Sequence, residues 1–378
     1  VLDILKEEIG AIRDKFGDAR RTSIEPAADD IDIEDLIEEE ENVITLTHQG
    51  YIKRLSVDTY RSQKRGGRGI IGLQTKEEDF VSSMFVSSTH AHILFFTNKG
   101  RMYRIKAYEI PEGGRTAKGT PIVNLLALEP EESISAVIPV REYEEGKYLV
   151  MCTRAGVIKK TDLMEYQNAP KAGKIAIRLD DEDELIRVVM TDGCKDLFIG
   201  SHGGKMIRFH ESDVRNMGRV SRGVRGISLE DGDYVIGMSV DAEDGKLLVV
   251  SEKGYGKKTE LSEYKCQSRG GKGTTSYRIS EATGAVAGLQ VVTPKDDVIL
   301  ITSEGVIIRM DTEDISTYGR VTKGVRLMRL ADDVNIVTVA CVEKEPENED
   351  APETESIAAV DGGSNAEDIE TDLGETEE

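Results

Sequence analysis

Residues 93–105 read ILFFTNKGRMYRI: an apolar run, a short polar turn closing at Gly100, and a second run ending on basic residues. Two short runs rich in β-branched and aromatic residues on either side of a glycine turn predict a β-hairpin. A hairpin loop whose last residue takes a positive φ favours glycine, which has no Cβ to clash. The pattern recurs as VITLTHQGYIKRL (43–55), YLVMCTRAGVIKKT (148–161), LFIGSHGGKMIRF (197–209), LLVVSEKGYGKKT (247–259) and VILITSEGVIIRM (298–310). The turn glycines are Gly50, Gly100, Gly156, Gly204, Gly254 and Gly305, at intervals of 50, 56, 48, 50 and 51 residues.

A second landmark follows nineteen residues after five of these turns, at Gly69, Gly119, Gly223, Gly273 and Gly324. Each has a base immediately before it: Arg68, Lys118, Arg222, Lys272 and Lys323. The third repeat breaks the spacing and offers Lys171-Ala172-Gly173-Lys174 about two residues early. An apolar run such as Ser133–Ile138 then leads into the next hairpin. Four short strands fit in about 50 residues, and one such unit cannot bury both of its faces alone. Six packed radially can. The expected fold is all-β, a six-bladed propeller-like disk over residues 43–342, preceded by a short helix and followed by a disordered tail. A solenoid is disfavoured because neither end carries an atypical capping repeat. The chain has no tryptophan, so the Trp-Asp signature of one large propeller family is absent.

The flanks read differently. Leu2, Leu5, Ile9, Ile12 and Phe16 form one apolar stripe of a helix, with Gly17 as its expected C-terminal cap. Residues 25–42 hold ten Asp/Glu and no Lys/Arg, which predicts an extended, self-repelling tether after a first segment of residues 1–24. Residues 343–378 hold fifteen Asp/Glu and one Lys, too little apolar surface to order itself. That leaves 43 Lys/Arg against 41 Asp/Glu in residues 43–342, so the net charge of −22 belongs to linker and tail. It does not argue against a polyanionic partner. A chain that begins at Val1 reads as a fragment or a processed product. Cys152, Cys194, Cys266 and Cys341 lie far apart, which predicts reduced thiols rather than zinc or disulfides. With no signal peptide and no run of about 18 apolar residues, the expected location is the cytoplasm, in association with the nucleoid.

Four residues after each turn glycine stands a base: Arg54, Arg104, Lys160, Arg208, Lys258 and Arg309. The residue before it is Lys53, Tyr103, Lys159, Ile207, Lys257 or Ile308, so alternate repeats double the charge. Because strand neighbours point to opposite faces, the fixed base is expected to point outward at an equivalent place on every blade. A competing reading is that lysines near an exposed edge discourage edge pairing. The loops add Lys64, Arg65 and Arg68; Arg115 and Lys118; Arg219 and Arg222; Arg269 and Lys272; Arg320 and Lys323. Cations interleaved with glycines suit a phosphate backbone, since glycine lets the main chain approach and its N–H groups can donate. No pattern of base readout accompanies them, so little sequence preference is expected.

No catalytic, metal or cofactor site is expected in the chain. The segment Arg269–Thr275 lacks the G-x-x-x-x-G-K-[ST] spacing of a nucleotide loop. His90 and His92 can share a strand face but have no evident third ligand.

Gln63-Lys64-Arg65-Gly66-Gly67-Arg68-Gly69 resembles, at all seven positions, the box Q-[RK]-R-G-G-[RK]-G of the DNA gyrase A-protein family. The six glycine-rich repeats match its carboxy-terminal domain over residues 43–342, and the opening helix and its exit, residues 1–24 with the likeness at 8–22, look like the end of its breakage-reunion core. A weaker echo, QSRGGKG, stands at Gln267 to Gly273. The repeats alone also resemble the A protein of topoisomerase IV, whose box is degenerate or missing. The resemblance implies a β-pinwheel in which blades exchange strands and duplex DNA wraps around a basic rim with a right-handed sense. It implies that the box is needed for the wrap, and that the catalytic tyrosine lies in a part of the gyrase A protein not in this chain. ATP belongs to the gyrase B protein, with Mg held there and in the catalytic core. The partners implied are the rest of the A protein and the B protein, in a heterotetramer of two A and two B.

Overall fold

The computed structural model describes residues 1–18, 22, 33–56, 79, 81–114, 117–168, 170, 172–304, 306–331 and 333–344. The chain divides into two compact units, Val1–Glu343 and Lys344–Glu378; only Lys344 of the second is among the described residues.

The first unit is a six-bladed β-propeller, and each full blade borrows a strand from the next repeat. The first sheet runs Val81–Ser88, Glu41–Thr47, Tyr51–Ser56, and then Thr120–Pro121 of the second repeat. The second runs Ile134–Val140, His92–Thr97, Arg101–Lys106, then Lys174–Ile175. The third, fourth and fifth repeat the scheme, ending on Val224–Arg225, Thr274–Thr275 and Val325–Arg326. The sixth has three strands among the described residues, Ile336–Glu343, Asp296–Thr302 and Ile307–Asp311. Ile336–Glu343 touches both the corresponding strand of the fifth blade and Val81–Ser88 of the first. These strands are therefore innermost, and the borrowed two-residue strands are outermost.

The core lies between blades, as expected when a single sheet must bury both faces. Ile44 and Ile52 pack with Ile93 and Phe95; Phe96 and Met102 pack with Leu149 and Met151. The same holds for blades three and four, four and five, and five and six. Apolar residues consequently run continuously along the middle strands, as in Phe95-Phe96, instead of alternating.

Two glycine classes carry the turns. Gly50, Gly100, Gly156, Gly204 and Gly254 all have φ between 73° and 82°. The hairpin is also held by a hydroxyl three residues earlier: Thr47, Thr97, Thr153, Ser201, Ser251 and Thr302 each accept the N–H that follows the turn, at 3.0–3.3 Å. Gly119, Gly223 and Gly273 lead into borrowed strands with φ of 91°, 94° and 67°. A Cβ at these three would lie 2.7, 2.6 and 2.6 Å from the carbonyl oxygens of Ile52, Ile158 and Met206, in the preceding blade. The third repeat makes the same exchange despite its spacing, with Gly173 at φ 80° packed on the Tyr103 ring.

The amino-terminal helix spans Leu2–Phe16, and its apolar stripe is exposed. Gly17 donates its N–H to Arg13 O but is extended, φ −72° and ψ 116°, not in the left-handed cap conformation. No helix among the described residues is long and apolar enough to cross a membrane.

Candidate nucleic-acid interface

The two basic positions on the third strand do not form a free outward row. Lys53, Lys159 and Lys257 are 2%, 0% and 0% exposed. Lys53 Nζ donates to the carbonyls of Gly114 and Ala117 at 3.1 and 3.0 Å. Lys159 donates to Ala176 and Arg219, and Lys257 to Gly319 and Arg320 at 2.7 and 2.5 Å. Burial pushes the Lys159 and Lys257 ammonium groups down to about 7 and about 8, and lowers Lys53 too. The expectation that these lysines double the surface charge is therefore corrected: a sheet packed on both faces has no free side for them.

The residue four after the turn is a staple between blades. Arg54 donates to Ile110 O at 2.7 Å and pairs with Glu112 at 2.8 Å. Arg104 donates to Gln167 O, Lys160 to Glu211 O at 2.9 Å, and Lys258 to Thr312 O at 2.5 Å. Arg208 donates to Leu261 O and Tyr264 O while bonded to Asp196. In each pair the acceptor lies in or just after the 3-10 turn that follows the hairpin of the next repeat. Arg309 instead holds Asp297 of its own blade at 2.7 Å. Neither outward presentation nor edge protection describes the five stapling side chains; Arg309, on the outer described strand of the sixth blade, is exposed. The regularity of the five comes from the junction they close, and the acceptors are main-chain oxygens, which sequence does not mark.

The loop cations sit elsewhere. After the 3-10 turn of the second, fourth, fifth and sixth repeats the chain crosses to the preceding blade. There its backbone bridges the staple residue, as between Arg54 and Glu112, Lys160 and Asn216, Arg208 and Cys266, and Lys258 and Thr317. The glycine-rich loop comes next and then the outermost strand, so the loop bases are carried along the outer edge of each junction. Lys118 Nζ lies 4.4 Å above the Tyr51 ring, and Lys323 Nζ 5.9 Å from that of Tyr255. Arg219 donates to Ile175 O; Arg222 is exposed and pairs with Asp180. Arg269 donates to Asp213 O at 3.1 Å and Arg225 O at 2.7 Å, beside the exposed Lys272. Arg320 is half-buried. Arg326 follows in the borrowed strand and donates to the Tyr255 hydroxyl. Gln63, Lys64, Arg65, Gly66, Gly67, Arg68, Gly69, Arg115 and Lys171 lie outside the described residues.

A family model described as the DNA gyrase C-terminal domain, beta-propeller, matches residues 41–88, 91–141, 147–192, 195–240, 245–293 and 296–343, one match per repeat. The chain belongs to this family. It is 51% identical over 360 residues to the DNA gyrase A protein of Clostridium acetobutylicum, covering 95% of this chain and 43% of that protein. With the DNA gyrase A protein of Staphylococcus epidermidis it shares 49% over 352 residues, 92% of this chain and 39% of the relative. The chain thus spans about two fifths of the length of these relatives. Among solved structures it is similar to the C-terminal domain of DNA topoisomerase IV, with TM-score 0.71, 27% identity, and 81% and 94% of the two chains covered. It is also similar to a DNA gyrase A C-terminal domain, with TM-score 0.64, 28% identity, and 79% and 99% covered. The six matched segments coincide with the six repeats of the propeller described above.

Proposed function

We propose that this chain binds duplex DNA along its outer loops and bends it around the ring of blades. The wrap would present a segment of the same molecule for strand passage. Together with a gyrase B protein, the enzyme it belongs to would then add negative supercoils, with ATP hydrolysed on B. The observation that supports this reading is positional: the loops bearing Lys118, Arg219 and Arg222, Arg269 and Lys272, and Arg320 and Lys323 each precede an outermost strand.

Turning about 40 base pairs through half a circle costs about 10 kcal/mol for a persistence length of about 150 base pairs. One basic patch would bind DNA without bending it far. Similar stations at successive junctions offset that cost along an arc, through phosphate contacts that carry no sequence information.

The test is binding of two unrelated duplexes of about 40 base pairs across a salt series. The proposal expects equal affinities and a steep linear fall of log K with log salt. Affinity for one sequence alone, or indifference to salt, would remove it. Saturation by a specific protein with no duplex binding would point to an interaction platform instead. The likeness to the topoisomerase IV domain keeps a second reading in view, decatenation by the same kind of wrap. The complete box at Gln63–Gly69 favours the supercoiling enzyme.

A further inference from the structure

The junctions among the described residues are not equivalent. Lys53, Lys159 and Lys257 belong to the first, third and fifth repeats, and each reaches into the loop of the following repeat. Those loops read Gly114-Arg115-Thr116-Ala117-Lys118-Gly119, Gly218-Arg219-Val220-Ser221-Arg222-Gly223 and Gly319-Arg320-Val321-Thr322-Lys323-Gly324: one pattern, G-R-x-x-[KR]-G, three times. The acceptors belong to the pattern itself: Gly114 and Ala117, Arg219, and Gly319 and Arg320. The lysine stem also fills space the loop leaves, since a Cβ at Gly113 would meet Lys53 Cδ at 3.1 Å and one at Gly324 would meet Lys257 Cβ at 2.9 Å.

The even repeats differ. Tyr103 turns its hydroxyl to Ala127 O and Glu132 of its own repeat, at 3.1 and 2.8 Å. Ile207 offers no donor and lies under Gly271, where a Cβ would meet its Cδ1 at 3.6 Å. The loop above Ile207 is Gln267–Gly273, which carries Arg-Gly-Gly in place of the Gly-Arg pattern. Lysine and loop pattern therefore go together, and their absences go together.

We infer that Lys53, Lys159 and Lys257 are positioning residues for DNA binding. Each fixes the main chain of the next blade's G-R-x-x-[KR]-G loop, so that the described bases Lys118, Arg219, Arg222, Arg320 and Lys323 are held at the outer edge of the junction, where phosphates can take over from partners such as Asp180 and Ile175 O. The lysine itself contributes no phosphate contact. The loop at Gln267–Gly273 has no such lysine and is held by other means: Gly270 N–H donates to Gly226 O at 2.7 Å, and Ser228 N–H and Oγ donate to Gly271 O and Gly270 O at 2.9 and 2.7 Å. This inference rests on the DNA-binding reading above.

The test compares the chain with Lys159→Met, with Arg219→Ala/Arg222→Ala, and with all three changes, by duplex binding over a salt series. Folding of each variant is confirmed by circular dichroism. If Lys159 acts through the loop, Lys159→Met lowers the salt slope by up to about 1.8, the value for two phosphates, and the two sets of changes are not additive. Additive losses, or an unchanged slope in folded Lys159→Met, overturn the inference. Should Lys159→Met not fold, amide exchange of the unaltered chain decides. Met217 and Ser221, whose N–H groups are bonded to Lys160 O and Gly218 O, should be protected without DNA and change little on binding. Free exchange of both amides in the chain without DNA overturns the inference. If the unaltered chain binds no duplex, the functional reading fails first.

Discussion

Arg208 ties the fourth blade to the fifth: its guanidinium reaches Leu261 O at 2.8 Å and Tyr264 O at 3.1 Å, with Nε on Asp196 at 2.8 Å. Arg208→Leu would leave a carboxylate and two carbonyls without that donor, a loss of about 2–4 kcal/mol. Urea unfolding should show it, and the salt slope of duplex binding by the folded variant should stay the same. A slope reduced by about 1 would put Arg208 on a phosphate.

The buried lysines make stability depend on pH. Lys159 and Lys257 lie at about 7 and about 8 in the folded chain against an ordinary value of 10.5. Below the folded values both states hold the proton, and the folded chain bears the whole penalty of burying the charge. As pH rises through them, the folded chain sheds protons that the unfolded chain keeps, so stability rises. Unfolding free energy should be larger at pH 9 than at pH 7, and Lys159→Met with Lys257→Met should remove that rise. The neutral amine keeps two N–H donors, enough for both carbonyls, so the loops should stay tied at pH 9. A pH profile unaltered by the two substitutions would contradict this.

The thiols divide by burial. Cys194 and Cys266 are exposed; Cys152 is buried, and burial pushes the Cys341 thiol up to about 12. Two of the four should alkylate quickly in the native chain. Cys266 opens the Gln267–Gly273 loop, whereas Cys194 lies next to an innermost strand. Duplex DNA should slow labelling of Cys266 and leave Cys194 alone, as mass spectrometry of the labelled peptides would show.

Much of the fold was legible because its punctuation is chemical. The turn glycines and those nineteen residues later that lie among the described residues sit where a positive φ or a neighbouring carbonyl excludes a side chain, as at Gly119 over Ile52. The exchange of strands was not legible in the spacing itself. Thr120–Pro121 and Thr274–Thr275 are two-residue strands that carry no period, and only the family resemblance implied them. The site was half legible. Loop cations such as Arg222 and Lys272 are exposed. The bases of the third strand are not a free row, because Lys53 and Lys160 are satisfied by main-chain carbonyls about 50 to 60 residues away. A clue lay in the pairing of Lys53, Lys159 and Lys257 with a Gly-Arg loop one repeat later.

Single substitutions at the loops should separate positions. Arg222→Ala, Lys272→Ala and Lys323→Ala should each lower the salt slope of binding by about 0.9 without changing sequence preference. Lys64→Ala/Arg65→Ala/Arg68→Ala should diminish the topological effect more than it weakens binding. Measuring both on the same preparations distinguishes a bending contact from an anchoring one.

The most direct measurement is the linking number of a closed circular DNA relaxed by an independent topoisomerase with this chain bound. Bending of DNA around the outer loops predicts a shift in the topoisomer distribution that grows with the ratio of chain to DNA and disappears at high salt. An unshifted distribution, with the circle saturated by bound chain, would contradict the account.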